Sequence, residues 1–359
     1  MALHGKALDR NVDPMFELIE EFVLNVGFTD MERIKSLLLQ YQAGMEAAIV
    51  STGHRYAISL ASQHLSLASH INELWHGIEQ YQYIKAKAEA ADSDVLAGLA
   101  VDFTSIAKDL FKSQNLKPAV IGAPDAMVQA DQHIAKIMGK LENQSQGHFL
   151  TPNLDRNIQR PYAGWYTNTA VSFVGQAFKT VRITHEDAPG LAVIAKILRS
   201  KFLHREIREK GGAYGGFALY NTEEGIFSFG SYRDPHIKRT LDVYGKANEY
   251  IMGGDYSQTD VKEAILQVCS EIDKPETPGP AAMKAFYRDI TKLSDDIRQN
   301  FKDALLKLDR SKIIGIAQRY FNLPDDQKGI AVISSKPQLE AANRELEASG
   351  KAPLDLIKI

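Results

Sequence analysis

The chain of 359 residues has one cysteine, Cys269, so it forms no internal disulfide, and its ten histidines include no HxxxH pair. Short-spaced metal frameworks of the CxxC and HxxxH kinds are therefore excluded. No apolar run approaches the roughly eighteen residues that cross a membrane. The 42 basic and 45 acidic residues are interspersed and leave a net charge of −3, without the basic stripe that tracks nucleic acid. Cys269 sits in TDVKEAILQVCSEID among apolar neighbours, where an inert buried thiol is expected. What is present is ordinary globular material: 44% hydrophobic and 24% charged residues, enough for a substantial core and two domains.

Periodicity divides the chain. Residues 11–25 and 30–49 read as an α-hairpin, with Phe16, Ile19, Phe22 and Val23 toward a core and Thr29 or Asp30 capping the second helix. Helices follow at about 53–66, 68–89 and 92–112, the last with an Asp92 N-cap and an apolar stripe of Val95, Leu99, Phe103, Ile106 and Leu110. LKPAVIGA, 116–123, reads as a buried strand, and a helix comes after it. The polar, proline-bearing stretch 142–161 loses all periodicity and is the natural linker between a first domain, 1–141, and a second, 162–359. The second opens with the strand NTAVSFVGQAFK, introduced by Trp165 and Tyr166, which read as packing residues. It then alternates strands in clusters with helices, ending in the strands GIAVISS and LDLIKI. That order predicts an α+β fold with a sheet covered on one face.

The segment Arg208 to Gly216, REKGGAYGG, concentrates chemistry. It follows an amphipathic helix over 188–208, marked by Leu191, Ile194, Ala195, Leu198, Phe202 and Ile207. Gly211 and Gly212 end that helix as a left-handed cap and tight turn. Two strands, AYGGFALYN and GIFSFGSYRD, then form a hairpin about Thr222 to Gly225. Arg208 and Tyr214 thus flank one turn, near enough to meet one ligand. A bland account also exists: arginine suits a helix C-terminus, and tyrosine commonly opens a strand. A phosphate-cradling loop fits less well, because the glycines lie between helix and strand rather than between strand and helix.

The stretch LRSKFLHREIREKGGAYGGFALYNTEEGIFSFGSYRDPH resembles the C-terminal half of the insulinase-like zinc metallopeptidases, in the presequence-protease subfamily. GKALDRNVDPMFELIEE and STGHRYAISLAS resemble the third domain of the same subfamily, so the likeness spans most of the chain. It implies two related domains, the first truncated, each a mostly antiparallel sheet covered by helices. Ala2 to Leu8 then corresponds to a strand inside the third domain, and Met1 is expected to be a secondary start, so the want of a leader says nothing about location. A soluble protein of the cytoplasm or an organelle matrix is expected, without membrane or nucleic-acid partners.

The family's inverted zinc motif, HxxEH, is missing from this chain. The nearest approach, His70-Ile71-Asn72-Glu73-Leu74, puts leucine at the second ligand, and His70, Glu73 and His76 read as surface residues of a helix. The resemblance therefore implies zinc bound by an N-terminal half of the same enzyme, with no metal in this chain. Arg208 and Tyr214 match positions that contact the substrate carbonyl near the scissile bond. Gly211, Gly212, Gly215, Gly216 and Arg233 are the expected substrate-binding residues around them. The implied substrate is an unfolded peptide enclosed between two hinged halves, and the isolated chain is expected to be inactive. The competing expectation is a non-catalytic scaffold or peptide-binding protein of the same fold. Other constellations have simpler accounts: His185, Glu186 and Asp187 as an acidic helix start before Pro189, and Asp234 as an N-cap before Pro235.

Overall fold

The computed structural model describes residues 1–143, 162–324 and 327–359. Six helices come first: α1 (Val12–Asn25), α2 (Met31–Ser62), α3 (Leu67–His76), α4 (Ile78–Glu89), α5 (Ser93–Leu110) and α6 (Pro124–Lys140). Strands β1 (Tyr162–Tyr166) and β2 (Phe173–Lys179) precede α7 (Ala188–Ile197), which continues as a π-helical segment, Leu198–Glu209. The hairpin β3 (Gly215–Asn221) and β4 (Ile226–Tyr232) leads to α8 (Lys238–Gly253), α9 (Gln258–Ile272), α10 (Pro278–Thr291), α11 (Asp295–Leu306) and α12 (Arg310–Tyr320). The chain closes with β5 (Lys328–Ser334), α13 (Lys336–Ala348) and β6 (Asp355–Lys358).

Two compact units interleave along the chain. One comprises Met1–Tyr41, Lys85–Asn153 and Pro275–Leu293, the other Gln42–Ile84, Leu154–Lys274 and Ser294–Ile359. The domains expected from sequence run end to end, whereas the compact units do not, because Gln42–Ile84 groups with the sheet. The expected linker lies, apart from residues 142 and 143, outside the described residues.

The first unit is helical among the described residues. Its core joins Val12, Phe16 and Val23 of α1 to Ala130 and Ile137 of α6, and Phe16 stacks on His133, whose Nε2 meets the Asp13 carboxylate at 2.7 Å. Asp92 caps α5 through the backbone N–H groups of Asp94 and Val95, as the sequence indicates. The face buried by α5 differs from the expected stripe, however. Leu96, Leu99 and Ala100 are buried, while Phe103 and Ile106 are 38% and 53% exposed. Neither 116–123 nor Ala2 to Leu8 forms a strand. A short apolar run needs a ladder partner to become one, and the described residues of this unit supply none.

The second unit is built on a six-stranded mixed sheet in the order β3-β4-β2-β5-β1-β6. Strands β3, β4, β2 and β5 pair antiparallel in sequence along the sheet, and β1 lies parallel to both β5 and β6. Trp165 and Tyr166 belong to β1 itself, and Trp165 is buried as a packing residue. Both faces of the sheet are covered, in contrast to the single covered face expected. Val174, Phe178, Phe227, Phe229 and Val332 face the C-terminal helices and the π-helical segment. Phe173, Ala177, Trp165, Ala331 and Ile333 face Ile49, Ala57 and Leu60 of α2 and Tyr81 of α4. Alternation along each strand therefore buries both sets, which is why β2, β4 and β5 read as nearly continuous apolar runs.

The second half of α2 comes unusually close to the sheet. A Cβ on Gly175 would stand 2.6 Å from the Ala57 backbone, and one on Gly230 would stand 2.7 Å from Ile58. These two glycines are register partners on β2 and β4, so they form a trough in which α2 lies. The helix enters the trough after a break at Thr52, whose φ of −126° is non-helical and whose Oγ1 donates to the Ala48 carbonyl at 2.9 Å. A threonine hydroxyl bonded back one turn is a recognised cause of such bends.

Candidate functional site

The site lies where the π-helical segment ends and β3 begins. Lys210 N–H reaches back five residues to the Arg205 carbonyl at 2.9 Å, the spacing of a π-turn. The chain then closes through Gly212 N–H to Arg208 O at 3.0 Å and Ala213 N–H to Ile207 O at 3.1 Å. Gly212 has φ +76°, the left-handed conformation that the sequence pattern calls for. Gly211 is buried with the Ile207 carbonyl beside it, where a side chain would collide. Together they bring the last helical turn directly to the edge of the sheet.

Arg208 and Tyr214 converge. The Arg208 guanidinium lies 5.7 Å from the centre of the Tyr214 ring, and that ring is 65% exposed rather than turned beneath the sheet. A stacked cation of this kind is worth about 0.5–1 kcal/mol at an exposed site, enough to bias both side chains outward together. Arg208 has no carboxylate partner among the described residues, so its charge is left for something outside this chain. Its neighbours are engaged: Arg205 and Lys210 both pair with Glu206, whose carboxyl they hold below the ordinary value.

Arg233 joins the same group. It is exposed, its backbone is left-handed at φ +50°, and its guanidinium lies 5.4 Å from the Tyr232 ring centre. Tyr232 in turn meets Tyr214 edge to face, 5.5 Å apart at 88°. Four residues thus alternate as cation, ring, ring and cation along the end of the hairpin. The glycines that follow have internal reasons. A Cβ on Gly216 would press on Ile207 at 3.0 Å, and one on Gly215 would meet the Phe217 ring at 3.2 Å. Gly216 therefore admits the helix, and no open groove lies over it.

Two contributors escape sequence reasoning: Tyr232, and His54 on α2. The His54 ring packs on Tyr232 at 4.9 Å and on Phe217 at 5.4 Å, with Nδ1 buried and unpartnered. Burial, with the charge of Arg55 added, holds the imidazole pKa below the ordinary value. Both residues lie in stretches that carry the family resemblance, but no periodicity marks them.

The remaining constellations are structural. Glu73 is fully buried, contrary to the surface position expected: its carboxylate accepts from Ser59 Oγ at 2.5 Å and from the Ile78 N–H at 2.6 Å. Asp187 does not cap α7. It is buried in an ion pair with Arg319 and accepts the Tyr320 hydroxyl at 2.9 Å. Burial, together with Asp187, raises the Tyr320 phenol to about 12. Asp234 holds the His236 N–H at 2.9 Å and the Thr240 hydroxyl at 2.8 Å, securing the turn before α8. No group of three His, Cys, Asp or Glu among the described residues could hold a metal ion. A surface groove of about 750 Å³ beside Lys196, Arg199 and Leu266 shares no residue with the Arg208–Tyr214 pair.

Comparison with known proteins fits this geometry. Residues 1–86 match the family model of a peptidase-associated domain from subfamily C of the insulinase-like class, and residues 166–336 match "PreP C-terminal domain". The chain belongs to the insulinase-like peptidases, in the presequence-protease branch. It is 30% identical over 346 residues to a mitochondrial presequence protease of Yarrowia lipolytica, covering 96% of this chain and 34% of that protein. The corresponding protein of Danio rerio is 28% identical over 365 residues, covering 96% of this chain and 35% of the relative. The chain thus spans about a third of the length of the relatives it matches. Solved structures share the fold: a protease from Helicobacter pylori at TM-score 0.62 and 14% identity, covering 90% of this chain and 77% of that one. Pitrilysin follows at TM-score 0.59 and 13% identity, covering 90% and 33%. The mixed α/β, insulinase-like fold class stands on these. Arg208, Tyr214, Tyr232 and Arg233 all fall inside the "PreP C-terminal domain" match, and His54 inside the other.

Proposed function

We propose that this chain is the non-zinc part of a peptide-degrading metalloendopeptidase, closing one side of a chamber and contacting substrate near the scissile bond. The observation that carries this is the Arg208 guanidinium stacked on an outward-facing Tyr214, without an internal carboxylate. Peptide-bond hydrolysis gathers negative charge on the carbonyl oxygen. A guanidinium and a phenol held together at the rim of a closed cavity are donors suited to that charge, each worth roughly 3 kcal/mol by the cost of deleting such donors. Arg233, with Gly211, Gly212, Gly215 and Gly216 behind it, belongs to the surface that meets the peptide.

The residues here do not fit zinc. Leu74 replaces the second histidine, and Glu73 is committed to Ser59 and Ile78. In the intact enzyme the metal belongs to a separate N-terminal half, which is also the partner of this chain, and unfolded peptides are the substrate. An organelle matrix is the setting that the mitochondrial relatives suggest, and no helix among the described residues is long and apolar enough to cross a membrane.

The test is turnover of an unstructured peptide by this chain combined with a zinc-bearing N-terminal half of a presequence protease. Arg208→Ala and Tyr214→Phe should each lower kcat about 10²-fold with little change in KM, since the contact forms in the transition state. Unchanged kcat in folded variants rejects the role. The scaffold alternative predicts that the combined halves hydrolyse nothing, whichever variant is used.

A further inference from the structure

Tyr232 supports Tyr214 twice. Its carbonyl accepts the Tyr214 N–H at 3.0 Å, and its ring meets the Tyr214 ring edge to face at 5.5 Å. Tyr232 is itself braced on three sides: by His54 at 4.9 Å and 65°, by Phe173 at 5.9 Å and 34°, and by the Arg233 guanidinium at 5.4 Å. The backbone shows how the strand end is shaped for this. Arg233 and Lys292 are the non-glycine residues with positive φ among those described. Such a conformation costs about 1–2 kcal/mol outside glycine. Immediately after it, Asp234 returns to the sheet and exchanges two 2.8 Å backbone bonds with Ser172. The bulge at Arg233 therefore lets Tyr232 lie under Tyr214 while Asp234 stays in the sheet.

We infer that Tyr232 is a positioning residue for the Arg208–Tyr214 pair and that His54 fixes Tyr232 from the α2 side. This rests on the peptide-contact role proposed above. The buried Nδ1 of His54 makes no hydrogen bond, so the imidazole acts through its ring faces, pressed between Phe217 and Tyr232. A benzyl ring can replace that contact, but a methyl group cannot. Tyr232 touches no peptide in this arrangement, and its effect passes through Tyr214. An aromatic edge contact is worth about 0.5–1.5 kcal/mol, up to about tenfold in affinity.

The experiment titrates the full chain into a fluorescein-labelled unstructured peptide of mixed sequence and follows anisotropy, with folding of each variant checked by circular dichroism. Tyr214→Ala should weaken binding about tenfold, and Tyr232→Ala by a similar factor. The double variant should be no weaker than Tyr214→Ala alone, because both changes remove one contact. Tyr232→Phe and His54→Phe should recover the affinity that Tyr232→Ala and His54→Ala lose. Should Tyr232→Ala fail to fold, Tyr232→Leu keeps the bulk without a ring edge and carries the same comparison. If Tyr214→Ala binds like the unaltered chain, or the unaltered chain binds no peptide, the peptide-contact role falls and this inference with it. If Tyr214→Ala weakens binding and Tyr232→Ala does not, or the two losses simply add, the positioning role alone is overturned.

Discussion

Glu73 shows how far a single residue's surroundings can depart from its helical context. In SLASHINELWHGIEQ it reads as a solvated position, yet none of it is exposed. The chain turns at Gly77, which has no side chain to collide with the carboxylate, so Glu73 folds over the start of α4 and receives the Ile78 N–H. Burial pushes its pKa above the ordinary 4.5, and the bonds from Ser59 and Ile78 only partly offset that. The folded state thus binds this proton more tightly than the unfolded state does. Its stabilising contribution is full below about pH 4.5 and is lost as pH rises through the elevated value. Glu73→Gln should remove that decline. Urea midpoints of both proteins from about pH 4 to 8 check it, and parallel slopes would refute it.

At the scale of elements, the trough beneath α2 sets a hard limit on side-chain size. Gly175→Ala drives a methyl into the Ala57 backbone, which cannot move aside as a flexible side chain would. A loss of about 1–3 kcal/mol is expected in thermal or urea unfolding. Gly245, on α8, is the control, because a methyl added there would meet nothing within 4 Å. Gly245→Ala should gain up to about 1 kcal/mol from helix propensity. Equal effects at the two positions would mean that α2 does not lie in the trough. Most helices, the 215–232 hairpin and the glycine turn were legible from periodicity and turn chemistry, since these depend on near neighbours in sequence. The 116–123 strand and the α5 stripe were not, because an apolar segment declares only that it seeks a partner. The Arg208–Tyr214 pair was legible for the same local reason: one turn separates them.

For the whole molecule, the expectation about metal can be measured directly. With no suitable group of ligands among the described residues, the chain should retain well under one equivalent of zinc after dialysis. Elemental analysis that found one tightly held equivalent would defeat the division of labour proposed between two halves. Arg208, Tyr214 and the glycines around them form one local segment, so their meeting could be inferred from the amino-acid order, as could the lack of HxxEH. That His54 of α2 lies under Tyr232 of β4, and that Gln42–Ile84 covers the second face of the sheet, could not. Periodicity specifies which side of an element is apolar, but the partner for that side is chosen by packing between segments remote in sequence, and only the folded arrangement decides it.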